Sequence, residues 1–79
     1  MPRRRKPQPV LIVWVDAVAE AGWQPNESEP ELHECHTLGW LISANQHGYR
    51  VATTLSHDEH NATINIPRAW VRRVVKLSI

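Results

Sequence analysis

The chain is a succession of short apolar segments, and the most apolar of them comes first. Residues 10–15 read Val-Leu-Ile-Val-Trp-Val without a polar interruption. β-branched and aromatic side chains favour a strand, and six residues are too few for a helix of ordinary length. Both alternating sets of positions on this strand are apolar: Val10, Ile12 and Trp14 form one face, and Leu11, Val13 and Val15 form the other.

This two-sided strand is difficult to accommodate in a small domain, because a single sheet covers only one of its faces. The other apolar face must meet something else, and a second copy of the chain is the simplest candidate. We therefore expect a homo-oligomer. A tightly coiled barrel that partly buries both faces is the alternative.

Alternation of polar and apolar positions predicts four further strands after a long connection. Within that connection, residues 17–22 are compatible with a short helical turn, and residues 23–31 form a polar loop that contains two prolines. The predicted strands are residues 34–43, 49–56, 62–66 and 71–77.

Glycine, proline and asparagine residues predict where the strands bend or end and how they are connected. Gly39, inside the second strand, indicates a bulge or a close approach of another backbone. The Asn-Gln-His-Gly sequence ending at Gly48 predicts a turn in which that glycine takes a positive φ. Residues 57–61 form a polar hairpin loop, Pro67 ends the fourth strand, and Arg68-Ala69-Trp70 fits one 3₁₀ turn. Five short strands connected in this way predict an all-β fold, a compact antiparallel barrel.

Length and composition narrow the class of protein. A chain of 79 residues has room for one domain, and we assign residues 1–8 to a disordered basic tail and residues 9–79 to the barrel. The single cysteine excludes an internal disulfide and suits a reducing cytosol. The apolar run at residues 10–15 is far shorter than a bilayer span, and Asp16 directly after it argues against a signal peptide. We expect a cytoplasmic protein with no membrane association.

The net charge of +1 conceals a separation of charges along the chain. The tail holds four of the nine basic side chains, so the remainder carries five basic and eight acidic groups. The first half of that remainder is acidic, whereas the end of the chain is basic through Arg68, Arg72, Arg73 and Lys76. This asymmetry can orient a charged partner or dock one copy on another, and a solvated surface is the alternative.

Short motifs connect the chain to known proteins. The hydrophobe, proline and 3₁₀ turn of residues 66–71 resemble the segment before the last strand of Src-homology-3-like small barrels. From Val10 onward the chain also resembles a group of small phage-encoded proteins. The motifs that carry this second resemblance are Trp14 with Asp16, Gly22-Trp23, Cys35-His36-Thr37-Leu38-Gly39 and Ile66-Pro67-Arg68. Together they imply a five-stranded Src-homology-3-like or Sm-like barrel.

The phage resemblance also implies a function. Some small phage proteins of this general size are counter-defence sponges, which assemble as homo-oligomers and hold a host nucleotide immune signal without cleaving it. Such signals include cyclic ADP-ribose derivatives and cyclic oligonucleotides. The implied protein is therefore a non-catalytic inhibitor of anti-phage defence in the host cytosol. Its partners would be other copies of itself and a small nucleotide, and it would need no cofactor.

A nucleotide site needs cations for phosphate and flat rings for the base. Arginine forms forked hydrogen bonds to phosphate oxygens, and tryptophan stacks on a base. Alternation places Arg73 with Val71, Val75 and Leu77, as the odd cation on the more apolar face of the last strand. The candidate ligand-binding residues are Arg68, Arg72 and Arg73 for phosphate, Trp14, Trp23 or Trp70 for the base, and Asp16 or Thr37 for the sugar. Each tryptophan also fits a core position, and Asp16 also fits a capping role.

Other functions stay open on the sequence alone. The chain is also compatible with a nucleic-acid-binding barrel that grips phosphates with its tail and last strand, or with an adaptor that inhibits a host enzyme. Two His-rich blocks, residues 33–36 and 57–60, contain metal-ligand residue types without a zinc-like spacing. Strand alternation directs Cys35 and His36 to opposite faces, which leaves no nucleophile and base pair. We expect neither a metal site nor an enzyme.

Overall fold

The computed structural model describes residues 6–78, and its regular structure is almost entirely β. Its elements are β1 (Gln8–Asp16), β2 (His33–Ala44), β3 (Gly48–Leu55), β4 (His60–Pro67), the 3₁₀ helix η1 (Arg68–Trp70) and β5 (Val71–Lys76). The five predicted strands and the 3₁₀ turn before the last one are confirmed, although β1 and β4 each begin two residues earlier than the pattern predicted. Most of the predicted disordered tail, residues 1–5, lies outside the described residues.

The strands form one antiparallel sheet in the order β4-β3-β2-β1-β5. β1 therefore lies between β2 and β5, which accounts for its unusually apolar composition. Over residues 6–78 the two outermost strands, β4 and β5, do not pair with each other, so the sheet is open. The all-β antiparallel architecture is thus confirmed, whereas the closure that defines a barrel is not part of this sheet.

One face of the sheet, here called the inner face, holds the hydrophobic core. Its buried residues are Val10, Ile12 and Trp14 on β1, Val51 on β3 and Ile66 on β4. β1 and β4 are separated in the sheet by two other strands. Because their residues nevertheless share one buried cluster, the sheet must coil strongly, as twisted antiparallel sheets do.

The opposite side of β1, here called the outer face, is also apolar. In antiparallel strands, residues that lie directly opposite each other share a face. The register places Leu11 beside Leu38 and Val75, and Val13 beside His36 and Arg73. The outer face is therefore formed by Leu11, Val13 and Val15 on β1, Glu34, His36, Leu38 and Trp40 on β2, and Arg73 and Val75 on β5.

A bulge in β5 changes which residues share a face. The register between β1 and β5 shifts at Val13/Trp14, so that Val71 pairs with Trp14 while Arg73 pairs with Val13. Arg72 is the extra residue between them. Simple alternation placed Arg73 with Val71, and that prediction is wrong because the bulge inserts one residue. Val71 packs against the core, and Arg73 lies on the outer face with Val75.

Two glycines are required by close backbone contacts. A Cβ on Gly39 would lie 2.6 Å from the Ala52 carbonyl oxygen, which confirms the predicted close approach. A Cβ on Gly48 would overlap the Ile66 carbonyl oxygen. The predicted positive φ of Gly48 is wrong, since Gly22 is the glycine with a positive φ among the described residues. Gly48 is needed for space rather than for a left-handed conformation.

The segment between β1 and β2 is an extended loop. Residues 17–22 form no helical turn, which corrects the prediction made from their composition. The Asp16 side chain accepts a hydrogen bond from the Ala17 amide at 2.8 Å, so it competes locally with helical hydrogen bonding. Trp23, farther along the loop, is fully exposed.

Candidate binding groove beside the β2–β3 turn

The turn between β2 and β3 is organised by one asparagine. The Asn45 side-chain oxygen accepts hydrogen bonds from the amides of His47, at 2.8 Å, and Gly48, at 3.2 Å. The Asn45 amide also donates to the Gly48 carbonyl at 3.0 Å. Asparagine favours such turns because its short side chain reaches the backbone two residues ahead. These hydrogen bonds restrain the backbone of the turn, which borders the neighbouring surface.

Arg68, at the start of η1, makes two hydrogen bonds to this turn and one contact with β3. Its backbone amide donates to the His47 carbonyl at 2.9 Å, and its Nε donates to the Asn45 carbonyl at 3.1 Å. Its guanidinium carbon lies 4.8 Å from the centre of the Tyr49 ring, a cation–π geometry. The position of this cation is therefore set by both hydrogen bonding and stacking.

A second arginine is held nearby on β3. Arg50 Nη1 donates to the Asn65 side-chain oxygen at 3.1 Å, and Arg50 Nε donates to His60 Nε2 at 3.3 Å. Both partners belong to β4, so the guanidinium spans the β3–β4 pair. Arg50 is half-buried, which further limits the rotamers it can adopt.

An open groove of about 350 Å³ lies beside this turn, and Arg68 is outside its lining but stacks on its Tyr49. Tyr49 and Arg50 line it from β3, and Asn65 and Pro67 line it from β4. The turn contributes Asn45 and His47. The groove thus presents amide groups, an imidazole and a positioned guanidinium, and Arg68 stacks on its tyrosine. Such a set is suited to a small polar ligand that carries negative charge.

Sequence reasoning found only Arg68 among these groups. Arg50, Tyr49 and Asn65 were missed because they are ordinary residues of alternating strands, and nothing in the local pattern marks them. The available signal is the concentration of asparagine, histidine and arginine on either side of the β2–β3 turn. These residues can be recognised as parts of one site only when it is known that β3 and β4 pair and that Arg50 lies opposite Asn65.

The predicted site residues Trp14, Thr37 and Trp70 meet on the inner face. The two indole rings are stacked, with centroids 6.4 Å apart and planes inclined by 14°. Trp14 Nε1 donates to Thr37 Oγ1 at 2.9 Å, across the β1–β2 pair. Trp14 is almost fully buried and Trp70 is 40% exposed. Trp14 is thus a core residue, and Trp70 is the accessible ring of the pair.

The remaining predicted site residues do not join this cluster. Arg73 lies on the outer face opposite Val13, and Arg72 is the exposed bulge residue beside it. Asp16 hydrogen-bonds to its own loop, and Trp23 is exposed within that loop. The eight candidates are therefore distributed over both faces and the long loop, rather than gathered in one pocket.

A second concavity, of about 290 Å³, lies along the loop between β1 and β2. Its charged lining residues are Glu20, Glu29 and Glu31. A carboxylate-lined surface repels phosphate, so this concavity does not suit a nucleotide.

Residues 6–78 contain neither of the two arrangements described next, a metal-binding cluster and a helix that could span a membrane. Among these residues, no three His, Cys, Asp or Glu side chains are grouped so that they could hold a metal ion. Within the same range, no helix is long and apolar enough to cross a bilayer.

Comparison with known proteins gives no assignment. No family model, no curated protein and no solved structure matches the chain. Over residues 6–78 the fold is that of a small all-β protein with one five-stranded antiparallel sheet.

Proposed function

We propose that this protein is a non-catalytic binding protein that sequesters a small nucleotide signal, acting as a homo-oligomer in the cytosol. The motif resemblance supports the further proposal that it acts as a phage counter-defence sponge. The proposed fold is an Src-homology-3-like barrel whose sheet is left open between β4 and β5. The η1 turn between those two strands supports this proposal, because the same short turn precedes the last strand of such barrels.

The groove beside the β2–β3 turn is the proposed ligand site, and the observation that carries it is a pair of positioned arginines: Arg50, which lines the groove, and Arg68, which stacks on the groove residue Tyr49. Arg68 is fixed by Tyr49 and the turn, and Arg50 is fixed by Asn65 and His60. A guanidinium that is already ordered loses little conformational entropy when it binds phosphate. The groove volume also falls in the range typical of small-molecule sites.

The proposal assigns the base to an aromatic ring. Tyr49 lines the groove, and Trp70 lies two residues after Arg68 on η1 with 40% of its surface exposed. Either ring provides a flat apolar surface for a base. Compared with the residues selected from the sequence, the proposed site keeps Arg68 and Trp70 and adds Arg50 and Tyr49.

The test is direct binding of cyclic oligonucleotides and cyclic ADP-ribose derivatives, measured by calorimetry. Replacing Arg50 by glutamine is expected to weaken binding about 10-fold or more, since a charge-assisted hydrogen bond contributes about 1.5–3 kcal/mol. The matched control is Arg72→Gln, which removes the same charge from outside the groove and is expected to leave affinity within about twofold.

Two further measurements distinguish the competing functions. Heating the complex should release intact nucleotide, and release of cleaved nucleotide would show an enzyme instead. Binding of single-stranded RNA with a steep salt dependence, and no binding of small nucleotides, would replace this proposal with a nucleic-acid-binding function.

A further inference from the structure

The free edge of β5 carries an inference about what binds there. β5 is an outermost strand that pairs with β1 on one side, and over residues 6–78 no strand covers its other side. An uncovered strand edge offers backbone donors and acceptors to another chain. Three exposed cations lie on this strand, and together with its free edge they are here called the basic edge: Arg72, Arg73 and Lys76.

The cations flank the strand on both sides. Arg73 lies opposite Val13 and so belongs to the outer face, whereas Lys76 lies opposite Val10 and so belongs to the inner face. Arg72 is the exposed bulge residue. No aspartate or glutamate occurs in residues 60–78, so β4, η1 and β5 contain no side chain that neutralises these charges. A partner for this edge should therefore be acidic.

The loop between β1 and β2, residues 17–32 and here called the arm, has the complementary charge. It contains no lysine or arginine, and its acidic residues are Glu20, Glu27, Glu29 and Glu31. Every residue from 19 to 32 is exposed, so the arm is not packed against its own sheet. The Ser28 amide donates to the Pro25 carbonyl at 3.0 Å, which forms a turn within the arm.

Within one copy the two charged segments do not meet. Over residues 6–78 no lysine or arginine forms an ion pair with a carboxylate, and the ion pair found there joins His36 to Glu34 on β2. The arm leaves the sheet between β1 and β2, whereas the basic edge lies on the far side of β5 from β1. A second copy of the chain supplies to each segment the opposite charge that its own copy leaves out of reach.

The dimensions of the arm and the basic edge also agree. Asp16 pairs with His33, so the arm leaves and returns at the same end of the sheet. A 16-residue loop that folds back on itself extends at most about 25 Å, at about 3.3 Å per residue. The six residues of β5 span about 20 Å. Glu27, Glu29 and Glu31 occupy alternate positions, so an extended arm presents them on one side, about 7 Å apart.

We propose that the protein self-associates by docking the arm of one copy on the basic edge of another, so that the carboxylates of Glu27, Glu29 and Glu31 lie against the three cations. The exchange is reciprocal in a twofold dimer, because each copy supplies one arm and one basic edge. Exposed ion pairs are individually weak, so the association is expected in the micromolar range and should weaken as salt is added.

This inference rests on the proposed function only for its homo-oligomer, and it requires no ligand. Association is measured by sedimentation of the full chain without nucleotide, whereas the groove is tested by nucleotide binding. A dimer formed through the arm that binds no nucleotide would overturn the ligand proposal alone. A nucleotide-binding monomer would overturn this interface and leave the groove in place.

The experiment reverses the charges of the two segments separately. The arm variant carries Glu27→Lys, Glu29→Lys and Glu31→Lys, and the edge variant carries Arg72→Glu, Arg73→Glu and Lys76→Glu. Each variant alone is expected to have a dissociation constant at least 10-fold above that of the original chain, because like charges then face each other. The control reverses two exposed carboxylates of the β3–β4 loop, Asp58→Lys with Glu59→Lys, and should stay within about twofold.

Mixing the two variants distinguishes exchange between copies from closure of an arm on its own sheet. In a mixed dimer, each arm again faces a basic or acidic edge of the opposite charge, so association should return to within about threefold of the original. Circular dichroism confirms that each variant is folded. Raising the salt concentration from about 0.05 to 0.5 M should weaken the original dimer several-fold.

Four results would overturn the proposed dimer. These are an original chain that stays monomeric throughout the micromolar range, a mixture of variants that does not associate, and a control that is as damaging as the arm variant. The fourth is loss of association after nuclease treatment, which would mean that the basic edge holds nucleic acid instead of the arm.

Discussion

The two faces of the sheet are built on nearly the same apolar sequence in β1, but they differ in how much apolar surface stays exposed. On the inner face, Ile12 is completely buried, because Val51 and Ile66 from the coiled part of the sheet pack into the same cluster. On the outer face, Val13 of β1 is also buried, at 6% exposure, whereas Leu38, opposite Leu11 on β2, is 62% exposed. The difference lies in what covers each face rather than in its residue types.

This comparison shows how a small sheet divides its apolar surface between stability and association. Coiling the sheet gives one face a partner within the same chain, and the same coiling turns the other face outward. The inner face also gains η1, which places Trp70 over Trp14. The apolar surface left outside is then available for contact with another molecule.

The largest expected effect comes from removing the centre of the inner face. Trp14→Ala deletes a buried indole that stacks on Trp70 and donates to Thr37, and it should cost about 3–5 kcal/mol of unfolding free energy. A loss of that size is a large fraction of the total stability expected for a domain this small. Urea denaturation followed by circular dichroism measures it. The control is Trp23→Ala, which removes a fully exposed indole and should change stability by less than about 0.5 kcal/mol.

A smaller effect is expected from adding one methyl group to the inner face. Gly39→Ala would place a Cβ 2.6 Å from both the Ala52 carbonyl oxygen and a methyl group of Val51. Neither atom is the free end of a flexible side chain, so the strands must separate, at a cost of about 1–3 kcal/mol. Ser43→Ala on the same strand, at an exposed position, should be neutral in the same denaturation experiment. An equally stable Gly39 variant would show that the inner face is loosely packed.

The comparison also explains how much of the fold follows from the sequence. The alternation of polar and apolar residues identifies a strand, because this pattern depends only on the residues of that strand. In β1, both alternating sets of residues are apolar. Alternation does not report hydrogen bonding between remote strands, so the open edge between β4 and β5 was not predicted. It also fails at Arg73, since a bulge of one residue reverses every later position.

The candidate site was less accessible to sequence reasoning than the fold. The groove is assembled from the turn, two paired strands and η1, and its arginines become recognisable only through their partners Tyr49 and Asn65. Tryptophan was the more conspicuous signal. Trp14 was predicted to stack on a base, but it lies in the hydrophobic core, which is the commoner location of a large aromatic residue.

Association of two copies predicts a stability that depends on concentration, an effect of intermediate size. If the arm of one copy docks on β5 of another, the unfolding midpoint should rise by several degrees when the protein concentration is raised 100-fold. Reversing the charges of Glu27, Glu29 and Glu31 should remove that dependence while changing the midpoint of the dilute protein only slightly, because these residues are exposed in the monomer. Ile12→Ala should lower the midpoint at every concentration. Calorimetric scans at two concentrations make this comparison, and a wild-type midpoint independent of concentration would contradict it.

The smallest expected effect is a gain in stability on β4, away from either face of β1. Ala62 has a φ of 57°, in the left-handed region where a Cβ costs about 1–2 kcal/mol. Ala62→Gly relieves that strain but increases the freedom of the unfolded chain, so a net stabilisation of about 0.5–1 kcal/mol is expected in urea denaturation. Ala44→Gly provides the contrast, since Ala44 is an exposed β2 residue without a positive φ and the same change should destabilise the protein. Equal signs for the two substitutions would mean that the backbone at Ala62 carries no strain and that β4 pairs with β3 in a more regular way.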